Sequence, residues 1–209
     1  MNYNNNLELS VYLRSFGIFN TNIISAIEEI PIELFKTGNI SQNFSLKNKN
    51  KFDEEFKDAY LSAIIAQKLQ LKSNEKILEI GTGSGYLTSI FSRLSRKVYT
   101  IEKFKTEYVL ANNNFRKLKL TNIKSKCDDA FNVWIEESPF DKVFISGIVD
   151  QINENLIKQI NINGKFICST LSSSGVQILQ LFKVDKKKSL IKIEDICEVN
   201  LDPIKHYNI

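Results

Sequence analysis

The sequence predicts an α/β protein: a doubly wound, Rossmann-like parallel sheet with an N-terminal helical cap and a C-terminal antiparallel hairpin. Three observations carry this. Ile77, Leu78 and Ile80 form a short apolar run of the kind a buried parallel strand shows; Gly81, Gly83 and Gly85 follow at once, and a helical pattern begins beyond Tyr86. Strand and helix patterns alternate through Lys76–Cys168, as right-handed βαβ crossovers require. Two apolar stretches, Val176–Val184 and Ile191–Val199, flank Asp185-Lys186-Lys187-Lys188 and read as a hairpin completing the sheet.

Taken in order, Leu7–Phe16 reads as a helix with Leu9, Tyr12, Leu13 and Phe16 on one side, ended by Gly17. Asn20 or Thr21 caps a second helix, whose stripe of Ile23, Ile24, Ile27 and Ile30 stops at Pro31. Pro31–Phe35 is a short turn, and the polar stretch Lys36–Lys51 is expected to be a surface loop. Asp53–Leu71 carries Phe56, Tyr60, Ile64, Ile65 and Leu69 at helical spacing and leads into the first core strand. Beyond the glycine turn come a helix (Leu87–Leu94), a strand (Val98–Glu102), a helix (Thr106–Leu118) and a strand (Ile123–Cys127). After Ser138-Pro139-Phe140-Asp141, the strand Lys142–Ile145 ends at Ser146, followed by the helix Leu156–Ile160, a turn at Asn163-Gly164 and the strand Lys165–Cys168.

At 209 residues and 43% hydrophobic content, the chain is expected to form one domain, residues 1–71 capping a core of residues 72–209. The net charge is +4, and the lysines are scattered. The densest runs, Lys47/Lys49/Lys51 and Lys186–Lys188, read as solvated loop and turn charge, so no nucleic-acid partner is expected. Cys127, Cys168 and Cys197 stand far apart with a single His206, which argues against a metal site and a disulfide framework. With no signal-peptide core and no spanning apolar run, the expectation is a soluble, cytoplasmic protein without a membrane partner.

The spacing of the glycines points to a ligand. A dinucleotide fingerprint is G-x-G-x-x-G, whereas this turn is G-x-G-x-G with Glu79 two residues before the first glycine. That is the S-adenosylmethionine (SAM) form of the loop: the ligand carries no pyrophosphate, and an acid near the strand end can meet its cationic amino-acid part. An NAD site and a purely structural turn are the competing readings. Glu102 ends the second core strand 21 residues after Gly81, where a carboxylate can accept from both ribose hydroxyls. Asp128-Asp129-Ala130 follows the third; an acid there can accept from the adenine amino group, and a small neighbour leaves room for the ring. The residues leave Asp128 and Asp129 as alternatives, with Asp129 preferred.

The chain resembles the protein-L-isoaspartate O-methyltransferase family over most of its length. Leu13–Ile18, Ala26-Ile27-Glu28 and Pro31–Phe35 are similar to that family's N-terminal signature, and Leu78–Tyr86 to its SAM loop. Pro139-Phe140-Asp141, Gln159–Gly164 and Gly175–Leu179 fall where its later motifs do. The resemblance implies SAM contacts from Gly81, Thr82, Gly83 and Gly85, ribose contact from Glu102 with help from Lys103, adenine contact from Asp129 and Ala130, and Gln177 near the ligand pocket; the product would be S-adenosyl-L-homocysteine. The family's Thr-Ile-Ser-x-Pro segment, with its serine at the reaction centre, is missing. Glu55-Phe56-Lys57-Asp58-Ala59 stands there, putting Lys57 in the serine's place, either to attract an acidic substrate group or as a solvated lysine; Ile40-Ser41-Gln42 lies too early to replace the motif. The usual arginine after Pro31 is Ile32.

Methyl transfer from a sulfonium to a carboxylate uses a nucleophile already ionised at neutral pH, so alignment and water exclusion matter more than a general base. The absence of a Ser/His/Asp constellation suits such chemistry. The sequence thus leads to a SAM-dependent O-methyltransferase acting on a protein or peptide with an exposed carboxylate. The alternatives are a same-family enzyme with another carboxylate or small-molecule acceptor, and a non-catalytic SAM-binding protein. The oligomeric state is left open, a monomer being the simpler expectation.

Overall fold

The computed structural model describes residues 3–36, 44–46, 56–129, 134–149, 152 and 154–201. Ile40-Ser41-Gln42, Lys47, Lys49, Lys51, Asp53, Glu55, Ala130 and His206 lie outside the described residues. The elements run α1 (Tyr3–Ser15), α2 (Thr21–Glu29), β1 (Phe44–Leu46), α3 (Lys57–Leu69), β2 (Lys76–Ile80), α4 (Tyr86–Leu94), β3 (Lys97–Glu102) and α5 (Lys105–Lys117). There follow β4 (Ile123–Cys127), β5 (Phe140–Ile148), α6 (Glu154–Lys158), β6 (Ile160–Leu171), β7 (Gln177–Val184) and β8 (Leu190–Leu201).

One eight-stranded sheet has the order β1-β8-β7-β6-β5-β2-β3-β4. The strands from β4 to β6 are parallel, and β7, β8 and β1 complete the sheet antiparallel. From β2 the chain winds out through β3 to β4, then returns to lay β5 against the other side of β2. That reversal makes the ends of β2 and β5 a topological switch point, where sheets of this kind form their ligand crevice.

Alternation along the strands divides the core. Ile77, Val98, Phe144, Ile167 and Leu179 face the helices α1 to α4, while Leu78, Ile80, Tyr99, Val143, Ile145 and Phe166 pack on the other side with Trp134 and Leu156. Phe91 of α4 meets Phe144 edge-on with centroids 6.1 Å apart, both rings fully buried; each such burial stabilises by roughly 2–3 kcal/mol and sets α4 over β5. Asn20 caps α2 by accepting from the N–H groups of Asn22 and Ile23, and Pro31 follows its end. At the far edge from the switch point, Lys142, Lys165 and Lys183 form a cross-strand row. Like charges so placed repel, and the structure answers with a buried Lys142–Glu75 ion pair (3.3 Å) and a bond from Lys165 Nζ to the Lys68 carbonyl in the last turn of α3. This contact holds the α3 C-terminus at the bottom of the sheet and points its N-terminus toward the crevice.

Two expectations need correction. The stretch read as loop, Lys36–Lys51, contains β1, which pairs with Val199–Leu201 of β8. Its polar composition hides the strand because long-range pairing, not local pattern, makes it one. Asn163-Gly164 is no turn: β6 runs through it, and residues 161–164 stand against Asp141 alone, between the pairs Phe140–Ile160 and Lys142–Lys165. It is a bulge, which uses the same residues as a turn. A Cβ at Gly164 would lie 2.6 Å from Ile160 Cγ2 and 2.7 Å from the Asn161 carbonyl, so the bulge closes only around glycine. Among the described residues no helix is long and apolar enough to cross a membrane.

Candidate active site

The sequence-predicted glycine turn sits at the switch point. The Gly81 N–H donates to the Ile101 carbonyl (2.9 Å), stitching the end of β2 to β3. Gly83 has φ +53° with nothing within 4 Å of where a Cβ would stand, so its backbone borders open space. Gly85 has φ +85° at the N-cap of α4, and a Cβ there would stand 2.6 Å from the Phe115 ring. At Gly83 the turn thus presents bare backbone to the crevice, and the N-terminus of α4 follows it.

Glu102 is fastened in place. It is 4% exposed; Oε2 accepts from the Gly83 N–H (2.9 Å) and Oε1 from the Phe104 N–H (2.8 Å). A carboxylate held by two backbone donors keeps its remaining lone pairs for a ligand. Beyond it, the Asp128 N–H donates to the Glu102 carbonyl (3.0 Å), bringing the acids Asp128 and Asp129 to the same edge. Asp128 pairs with Lys126 (3.1 Å) and its Oδ1 accepts from the Asp129 N–H, while Asp129 pairs with Lys103 (3.0 Å). The predicted Lys103 is therefore at the site, joined to the predicted Asp129.

Glu79 lies beneath the turn rather than in it. It is 1% exposed, and its Oε2 accepts from the hydroxyls of Thr88 and Thr100, the latter at 2.9 Å. The Thr82 and Thr100 hydroxyls are 2.6 Å apart, which ties the turn itself into this network. Burial pushes the Glu79 carboxyl up to about 8, against the lowering effect of both threonine hydroxyls and with Glu102 adding to the rise.

Gln177 opens β7 opposite Leu171, so the antiparallel strand brings it to the switch-point edge, though with β5 and β6 between it and β2. Lys57 opens α3. Its neighbour Asp58, with Glu33, adds to the rise that burial produces at the Tyr86 phenol, so this end of α3 stands near the start of α4. The Phe35 ring lies 5.4 Å from that of Tyr86.

Sequence reasoning missed Thr88, Thr100, Asn114, Ser146 and Glu107. Thr100 could have been found as the polar residue in an apolar strand, but only the β2–β3 register shows it opposite Glu79. Asn114 shares the buried side of α5 with Ala111 and Phe115 and donates to the Ser84 carbonyl (3.4 Å). Ser146 borders Gly81, where a Cβ would stand 3.1 Å from Ser146 Cβ. Burial and the nearby Glu102 raise the Glu107 carboxyl.

These features fit SAM: a turn of three spaced glycines, an anchored ribose-type carboxylate and acids at the next strand end. A model of the protein-L-isoaspartate(D-aspartate) O-methyltransferase family matches residues 4–206. A protein-L-isoaspartate O-methyltransferase of Caulobacter vibrioides is 31% identical over 195 residues, covering 92% of this chain and 86% of the relative. One of Parvibaculum lavamentivorans is 28% identical over 207 residues, covering 95% and 90%. A solved protein-L-isoaspartate O-methyltransferase structure superposes with a TM-score of 0.79 at 25% identity, over 95% of this chain and 65% of that one. The fold is shared as well with a putative protein-L-isoaspartate O-methyltransferase of Plasmodium falciparum in complex with S-adenosyl-L-homocysteine (TM-score 0.70, 20% identity, 93% and 97% covered). With the family model matched nearly end to end and the SAM-type turn at the switch point, the chain belongs to the protein-L-isoaspartate(D-aspartate) O-methyltransferase family and is a SAM-dependent methyltransferase.

Proposed function

We propose that this chain methylates the carboxylate of an isoaspartyl or D-aspartyl residue in a damaged protein or peptide. The observation that carries the acceptor is the family match over residues 4–206; the Glu102 carboxylate bonded to the Gly83 N–H at the mouth of the glycine turn supports the SAM site. SAM supplies an electrophilic methyl on a sulfonium when bound. Gly81, Thr82, Gly83 and Gly85 would hold its amino-acid end and Glu102 its ribose, with Lys103 bracing the Asp129 carboxylate toward the adenine. Glu79, neutral through its burial, would hold the turn from behind by way of Thr88, Thr100 and Thr82. Ala130 keeps its proposed place beside the adenine and Gln177 its place near the SAM pocket. The free cysteines Cys127, Cys168 and Cys197 support a reducing, cytoplasmic setting.

Replacing Glu102 by alanine is expected to weaken SAM binding about a hundredfold, since hydrogen bonds to a charged acceptor are lost at two hydroxyls. Calorimetric titration of SAM into both proteins reads this. The acceptor is tested with labelled SAM and an isoaspartyl peptide beside its aspartyl twin. Selective transfer to the former supports repair; SAM binding without transfer removes it.

A second reading, another carboxylate acceptor within the same family, is favoured by Lys57 and Asp58 at the crevice end of α3, where the family's hydroxyl-bearing segment would stand. Screening small carboxylic acids as methyl acceptors separates the two.

A further inference from the structure

We propose that Ser146 is an acceptor-binding residue: its hydroxyl donates to the substrate carboxylate and fixes it behind the methyl group. The inference rests on the carboxylate reading above. Ser146 stands in β5 across from Gly81, on the β5 side of the switch point. Phe144 and Ile148 on either side of it belong to the cluster facing α3 and α4; β5 shifts register against β6 between them, and a Cβ on Gly81 would stand 3.1 Å from Ser146 Cβ, which sets Ser146 directly against the glycine turn.

Its hydroxyl is unspent, as is that of the buried Ser169 in β6. Those of Thr88 and Thr100 are bonded to Glu79, that of Thr82 to Thr100, and Ser84 Oγ accepts from the Tyr86 N–H. Ser146 is half-buried, and among the described residues its Oγ has no hydrogen-bond partner. A half-desolvated hydroxyl without a partner suits a ligand group better than bulk water does. The two sides of the turn divide the labour. Glu102 lies at the end of β3, so the ribose end of SAM extends toward β3 and β4. The β5 side is left for the group that attacks.

In the step itself a carboxylate oxygen forms the new C–O bond as the S–CH3 bond breaks. The electron pair goes to sulfur, which becomes a neutral thioether, and no proton changes place. Ser146 takes no part in that electron flow. Its donation to the carboxylate would hold the attacking oxygen in line, where small misplacement is costly.

The test compares wild type, Ser146→Ala and Ser146→Thr with the isoaspartyl peptide, alongside calorimetric SAM affinity and thermal unfolding. Ser146→Ala is expected to lower kcat/KM for the peptide about tenfold, while SAM affinity stays within twofold and the unfolding midpoint is unchanged. Ser146→Thr, keeping the hydroxyl, is expected to recover most of the loss. Equal kcat/KM in wild type and Ser146→Ala would overturn the proposal while leaving the acceptor reading intact. A parallel loss of SAM affinity would overturn it by assigning Ser146 to the methyl donor. A wild-type protein that binds SAM yet leaves the peptide unmethylated would overturn the acceptor reading, and this proposal with it.

Discussion

Gly85→Ala is expected to lower the unfolding free energy by about 2–4 kcal/mol and to reduce SAM binding below detection. Two costs add. At φ +85° a Cβ is strained by roughly 1–2 kcal/mol, and the new atom would stand 2.6 Å from Phe115 Cε1 and 3.1 Å from Ala111 Cβ. Phe115 is 4% exposed and Ala111 fully buried, so neither can retreat into solvent. Relief requires moving α4 away from α5. That shift carries the Ser89–Gly85 backbone bond and the turn with it, opening the contact between Gly83 and Glu102. Urea unfolding and SAM titration measure the two losses. A variant as stable as wild type would show that the α4–α5 contact is looser than the structure has it.

Glu79→Gln is expected to change how stability depends on pH. The folded carboxyl titrates at about 8 against an ordinary value of 4.5, so between these two the unfolded chain ionises while the folded one keeps its proton. The folded state then binds more protons, and stability falls as pH rises, by at most about 1.4 kcal/mol per unit. The stabilisation relative to the unfolded chain is fully present below about 4.5, is lost progressively up to about 8 and is flat above it. A glutamine in its place cannot ionise, and the side-chain carbonyl can still accept from Thr88 and Thr100. Wild type should therefore lose about 4 kcal/mol relative to the glutamine variant between pH 4.5 and 8, read by urea unfolding at each pH. Parallel pH profiles would mean that Glu79 is solvated or paired, and that the hydroxyl network is not its environment.

Most of the fold is legible locally. The run Ile77 to Ile80 ending in spaced glycines, the apolar stripe of α2 between Asn20 and Pro31, and the polar turn between β7 and β8 each carry their own period and stop signal. The same holds for the backbone of the site: Gly81, Gly83 and Gly85 are visible because such a turn needs them, and Glu102 because a strand end at that distance places an acid beside it. What escaped depends on partners distant in the chain. β1 is a strand only because β8 offers an edge, and Asn163-Gly164 is a bulge only because β5 continues alongside it. Thr100 meets Glu79 through the register of β2 with β3, and Ser146 meets Gly81 because the chain returns to β2 from its other side. The sequence by itself determined which local conformations and ligand class are possible, since backbone sterics and hydrophobic period act over a few residues. Only the tertiary structure decided that Glu79 is a buried, proton-holding support and that Ser146 keeps a hydroxyl free at the crevice, because desolvation and hydrogen-bond partnership exist only once distant strands are packed together.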